Sequence, residues 1–123
     1  MKMQPDRLEG TNLISRLEGS RLWVHQTGFE GSVLVPHRGP VQAWGPQRFE
    51  DLTSDHFGAT LAYKPELVIV GTGSRLRFPA PALWRALMDA GVGFEAMDTG
   101  AACRTFNVLA SEGRAVLAAL ILA

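Results

Sequence analysis

Two glycine turns hold the residues of this 123-residue sequence best suited to chemistry. The first, Gly71-Thr72-Gly73, follows the branched apolar run Glu66-Leu67-Val68-Ile69-Val70. The second lies within Asp98-Thr99-Gly100-Ala101-Ala102-Cys103-Arg104, which reads as a helix start. A glycine turn after a strand can bring backbone amides to a phosphate. A helix N-terminus attracts anions through its unpaired N–H groups, and small residues leave it open. Arg104 falls in the first turns of that helix, and Arg75 and Arg77 flank the other turn. If the turns adjoin, these cations could converge on one phosphate or carboxylate. The candidate ligand-binding set is therefore Gly71, Thr72, Gly73, Arg75, Asp98, Thr99, Gly100, Cys103 and Arg104.

Each member also has a plainer reading. Gly71-Thr72-Gly73 lacks the third glycine of a dinucleotide fingerprint and the Gly-Lys-Ser/Thr ending of a Walker loop. Its helix starts only after Pro79, so a tight turn needing glycine torsions explains it as well. Asp98 and Thr99 are natural helix caps, and Asp98 can pair with an arginine. Cys103 lies near a helix start, where a thiolate is favoured, yet no histidine is close in sequence to serve as its base. A small buried residue is the alternative for it. No catalytic residue is assigned. His25, His37 and His56 are far apart and the cysteine is single, so no metal-ligand spacing exists and neither metal nor cofactor is expected. Glu30, Glu50, Asp51 and Asp55 read as solvated carboxylates. Trp23, Trp44, Trp84 and Phe106 are interface anchors if exposed and core residues if not.

The elements that must position the turns follow from periodicity. Residues 13–17 and 21–26 flank Glu18-Gly19-Ser20 as a hairpin, and 29–35 alternate as a strand. Two prolines make 36–40 a loop, and 41–44 form another short strand. Short connections predict antiparallel neighbours. A helix capped by Thr53 or Ser54, with Phe57, Leu61 and Ala62 at helical spacing, ends at Lys64-Pro65. The branched run at 66–70 predicts a strand covered on both faces. A helix introduced by Pro79 and Pro81 runs to Ala90, with Leu83, Leu87 and Ala90 inward, and Gly91 stops it. A strand at 93–97 leads to a helix reaching Glu112, with Ala101, Thr105, Val108 and Leu109 inward. The apolar stretch 115–122 is the last strand. Two successive crossovers predict parallel strands, with both glycine turns at their carboxyl ends, where ligands bind in such sheets. The expected fold class is α/β: N-terminal antiparallel strands packed with a C-terminal β-α-β-α-β unit in one layered domain, 1–123. Residues 1–10 are expected to be loosely held.

The bulk properties narrow the function classes. Hydrophobic residues make up 46%, enough for a real core. Twelve basic residues balance twelve acidic ones, so no global field gathers polyanions and nucleic-acid binding is disfavoured. One cysteine excludes a disulfide scaffold. No targeting segment is expected from the polar opening residues, and the apolar stretch at 115–123 falls short of the ~20 residues a transmembrane helix needs. A cytoplasmic location is expected.

Pro65-Glu66-Leu67-Val68-Ile69-Val70-Gly71-Thr72-Gly73, then Gly93-Phe94-Glu95-Ala96-Met97-Asp98-Thr99-Gly100, Arg104-Thr105-Phe106-Asn107 and Glu112-Gly113-Arg114 form a distinctive combination. It resembles a small single-domain family of uncharacterised bacterial and archaeal proteins that includes the mitochondrial respiratory complex I assembly factor 3. The resemblance implies the α/β fold and no established reaction. It implies protein partners, among them components that assemble the respiratory NADH–ubiquinone oxidoreductase. With no targeting segment expected, the chain is expected to be like the bacterial members. Two functions follow as expectations. One is a non-enzymatic protein-interaction or assembly factor. The other is an anion-binding domain, or a small enzyme acting on a phosphate- or carboxylate-bearing metabolite at the two turns.

Overall fold

The structure is a computed structural model and describes residues 10–122. The expected loose segment 1–10 lies, apart from Gly10, outside the described residues. Among the described residues eight strands form two sheets. β1 (Ile14–Glu18), β2 (Arg21–Val24) and β3 (Thr27–Glu30) make an antiparallel meander. β4 (Val33–Pro36), β5 (Gln42–Ala43), β6 (Leu67–Gly71), β7 (Gly93–Met97) and β8 (Val116–Leu120) make a five-stranded sheet in the order β5-β4-β8-β6-β7. β6 runs parallel to both β7 and β8, while β4 runs antiparallel to β5 and β8. The α/β class and the crossover unit are as the periodicity predicts. The N-terminal half contributes more than a separate layer, because β4 and β5 extend the C-terminal sheet itself.

That sheet is covered on both faces. On one, α3 (Thr99–Ser111) and the meander bury Leu22, Val35, Ile69, Phe106 and Leu120 in a shared core. On the other, α1 (Ser54–Gly58), α2 (Arg85–Asp89) and their short 3-10 turns bury Leu34, Phe57, Val70, Leu87 and Leu117. Val68, Ile69 and Val70 are fully buried, which accounts for the unbroken apolar run of β6. Each such side chain contributes about 1.5–3 kcal/mol of burial.

Three expectations are corrected. The alternating stretch 29–35 is two strands in different sheets. Gly31, at φ +81°, turns the chain between them in a conformation that favours glycine. Leu34 is buried along with Val33 and Val35, because β4 is an interior strand. The two helices at 53–62 and 79–90 are each shorter than expected. A 3-10 turn at Ala59–Tyr63 follows α1, and one at Pro81–Trp84 precedes α2, leaving Ala90 exposed beyond its end. On α3 the buried face is Thr99, Ala102, Cys103, Phe106 and Ala110, while Val108 is 56% exposed. The bulk of Phe106 decides that phase, one position away from the expected face.

One polar tie joins the halves of the chain. The Asn107 amide on α3 accepts from the Ile14 amide through Oδ1 and donates to the Ile14 carbonyl through Nδ2, both at 2.8 Å. It does for strand β1 what a neighbouring strand would do.

Candidate functional site

The carboxyl ends of β6, β7 and β8 bring the two glycine turns together. The Thr72 amide donates to the Met97 carbonyl at 2.8 Å, and the Thr99 amide to the Gly73 carbonyl at 2.9 Å. The Gly73 amide donates to Thr99 Oγ1 at 2.9 Å, and that hydroxyl donates to the Ile121 carbonyl at 2.7 Å. Ile121 in turn donates to the Gly71 carbonyl at 2.9 Å. Thr72 Oγ1 lies 2.7 Å from the Arg75 carbonyl and 3.1 Å from that of Met97, and it accepts from the Arg77 amide at 3.1 Å. Both threonines are nearly inaccessible. Their hydroxyls are therefore bound up in holding three strand ends and the 72–77 loop in register, and buried polar groups need such partners.

Around this hub the candidate residues separate. A crevice of about 600 Å³ opens between the β1–β2 turn and the second glycine turn, lined by Leu17, Gly19, Ser20, Gly73, Ser74, Asp98, Thr99, Gly100, Ile121 and Leu122. No histidine, cysteine or lysine lines it, and its one carboxylate caps α3 by accepting from the Ala101 amide at 2.9 Å. That set contains no nucleophile with a base beside it. Arg75 and Arg77 lie instead in a smaller cleft of about 150 Å³ with Arg48, Phe49, Glu50 and Thr72. Arg77 pairs with Glu50 at 3.0 Å and stacks on Phe49 at 4.3 Å. Glu50 is held below the usual carboxylate range by its own backbone amide first and by Arg77 next. Arg104 lines neither cavity. Its guanidinium reaches back toward Gly100, where an added Cβ would sit 3.5 Å from it. Arg75 and Arg77 are thus separated from Arg104, and Arg48 joins them from a distant segment. Nothing in the local sequence marks Arg48, because the loop that carries it meets the 72–77 loop only in the folded chain.

Cys103 points into the core beside Phe106. Burial pushes its thiol up to about 11, with Arg104 opposing weakly. Between 9.0 and about 11 the unfolded chain has lost a proton that the folded chain keeps, so stability falls as pH rises through that window. Native protein at pH 8 should resist a thiol-labelling reagent, with modification appearing only once denaturant unfolds the chain. Prompt stoichiometric labelling under native conditions would contradict this placement.

The aromatics divide as well. Trp44 and Phe106 are core residues. Trp84 stacks on Phe94 at 4.2 Å, and Trp23 lies under Arg16 at 4.7 Å. Among the described residues the most exposed large apolar side chain is Phe78, at 75%. Phe78, Pro79, Pro81, Trp84 and Phe94 border a groove of about 460 Å³ along β7. Among the described residues β7 is the last strand of its sheet, bonded only to β6. Among the described residues no group of three histidine, cysteine, aspartate or glutamate side chains is placed to hold a metal, and no helix is long and apolar enough to cross a membrane.

Comparison with known proteins places the chain. A family profile described as a protein of unknown function (DUF498/DUF598) matches residues 14–121. The Bos taurus protein named NADH dehydrogenase (ubiquinone) 1 alpha subcomplex assembly factor 3 is 40% identical over 95 residues, 76% of this chain and 50% of that protein. The chain spans about half the length of the curated relatives it matches. A crystal structure of a Bordetella parapertussis protein superposes with a TM-score of 0.87 at 36% identity, covering 93% of this chain and 98% of that one. A solution structure from Bordetella pertussis, described as an Mth938-like domain, gives 0.84 at 32% identity over 99% of this chain and 92% of its own. These matches agree with the family that the paired glycine turns resemble. The chain belongs to the DUF498/DUF598 family of Mth938-like α/β domains.

Proposed function

We propose that this protein is a non-enzymatic assembly factor that works through protein contacts, its target being the respiratory NADH–ubiquinone oxidoreductase. The observation that carries this reading is the 40% identity, across 76% of the chain, to a protein named as an assembly factor of that complex. The surface is consistent with such work. Among the described residues β7 leaves one edge open, and open edges accept an added strand through backbone hydrogen bonds. Beside that edge, Phe78 and the Trp84–Phe94 stack supply the apolar seat for a side chain of the incoming segment. The partner segment is therefore an extended polypeptide with at least one large apolar residue.

Affinity capture from the native host tests this. The tagged protein should retrieve subunits or other assembly partners of the oxidoreductase. Phe78→Asp should cut the yield about tenfold or more, as expected for an aromatic hot spot worth about 2 kcal/mol. Its melting temperature should stay unchanged, because Phe78 is 75% exposed. Retrieval of no such partner by the wild-type protein would count against the reading.

A further inference from the structure

The cleft over the first glycine turn has a chemistry that the assembly reading does not use. Arg48, Arg75 and Arg77 line it, against one carboxylate, Glu50. Asp51 pairs with Arg48 and Glu50 with Arg77, so the three arginines leave one positive charge in excess around a space of about 150 Å³. That volume admits a single small group, below the ~300 Å³ where drug-sized pockets begin. The cleft lies at the carboxyl end of β6, beside the topological crossover where ligands of open α/β sheets bind.

The three arginines are not equally committed. Arg77 is fixed by its Glu50 pair and by stacking on Phe49. Arg48 pairs with Asp51 at 3.3 Å, largely in solvent. Arg75 makes no ion pair with any described residue. Its backbone is nevertheless held, since Thr72 Oγ1 bonds its carbonyl and the amide of Arg77. The loop thus presents a cation on a braced backbone. Exposed ion pairs are worth little, so an incoming anion can exchange with Glu50 at Arg77.

We propose that this cleft binds one phosphate or carboxylate group, with Arg75 as the principal contact and Arg77 and Arg48 as supports. Glu50 is then an internal competitor that occupies Arg77 when the anion is absent. The larger crevice meets the cleft at Gly73, Ser74 and Ile121, and it is walled by Leu17 and Leu122. An anionic group carried on an apolar body therefore has a place for that body, whereas a free inorganic ion uses the cleft alone.

Titration of the isotope-labelled full chain with inorganic phosphate, followed by amide NMR, tests the site. Saturable shifts should centre on Gly73, Ser74 and Arg75 and weaken with added sodium chloride. Arg75→Ala should weaken binding about tenfold, the loss of a charge-assisted contact. Glu50→Gln should tighten it about threefold by removing the competitor. Arg104→Ala, outside the cleft, should change nothing. Octyl phosphate distinguishes the sources. Tighter binding with added shifts at Leu17 and Leu122 assigns a carried anion, and equal affinity assigns the free ion. Linear, unsaturating shifts would overturn the proposal, as would equal loss in the Arg75 and Arg104 variants, or weaker binding in Glu50→Gln.

Discussion

Gly71→Ala should destabilise the protein by about 3 kcal/mol, at the upper end of the usual cost of overpacking. A Cβ on Gly71 would lie 2.9 Å from Leu120 Cδ2, 2.9 Å from Thr99 Oγ1 and 3.1 Å from Thr99 Cα. The leucine tip can rotate away. Thr99 Cα cannot, because it is backbone at the first residue of α3, and its amide is bonded to Gly73. The Gly71 carbonyl is also fixed, as the acceptor for the Ile121 amide. Relief thus requires α3 to lift from the sheet or the strand ends to part. A drop of ~10 °C in melting temperature is the expected readout for a domain of this size. Gly58→Ala is the contrasting variant. Gly58 is helical at φ −58°, with no atom within 4 Å of an added Cβ, so the change should stabilise by about 0.5–1 kcal/mol. Similar effects from both substitutions would show that the close approach at Gly71 is not what limits that position.

The second large effect concerns the hydroxyl that links the turns. Thr99→Val keeps the shape of the side chain and deletes its oxygen. The Gly73 amide then loses its acceptor and the Ile121 carbonyl loses a donor, both in a dry environment. Leaving a buried polar group unsatisfied costs about 1–3 kcal/mol, so the pair should cost ~3 kcal/mol. Thr99→Ser retains the hydroxyl and removes one methyl, for about 1 kcal/mol. Urea unfolding should therefore order the proteins wild type, serine, valine, with lower midpoints and unchanged slopes. A valine variant as stable as the serine one would mean that the hub of hydrogen bonds does not hold the turns together.

The parts of this architecture that are written locally could be read from the sequence. The run Leu67 to Val70 announces an interior strand because every residue in it is apolar and mostly branched. Gly91 and Gly113 mark where α2 and α3 stop, and Asp98 marks where α3 starts. The parts set by long-range packing were not legible. Gly31 looks like one more residue in an alternating strand, and only the two-sheet arrangement makes it a corner. The face of α3 depends on where the meander and the sheet leave room for Phe106. At the candidate site, the adjacency of the turns follows from parallel strand order, so it could be anticipated. The division of the arginines could not, because it depends on Phe49 and Glu50 arriving from another segment to hold Arg77. The exposed aromatic was likewise missed. Phe78 sits in an irregular stretch just before Pro79 and Pro81, where periodicity says nothing about burial.

Protein contact is the function we propose from the similarity to named assembly factors and from the surface beside β7. Among the described residues β7 has an unpaired edge, and it lies beside a groove bordered by the exposed Phe78. The most direct measurement is genetic complementation in the native host, read as the amount of assembled NADH–ubiquinone oxidoreductase on native gels. Deletion of the protein should reduce the assembled complex and leave smaller subassemblies. The wild-type chain should restore it, Phe78→Asp should restore little, and Arg104→Ala should restore it fully. A deletion strain that assembles the complex at the normal level would contradict the assembly role.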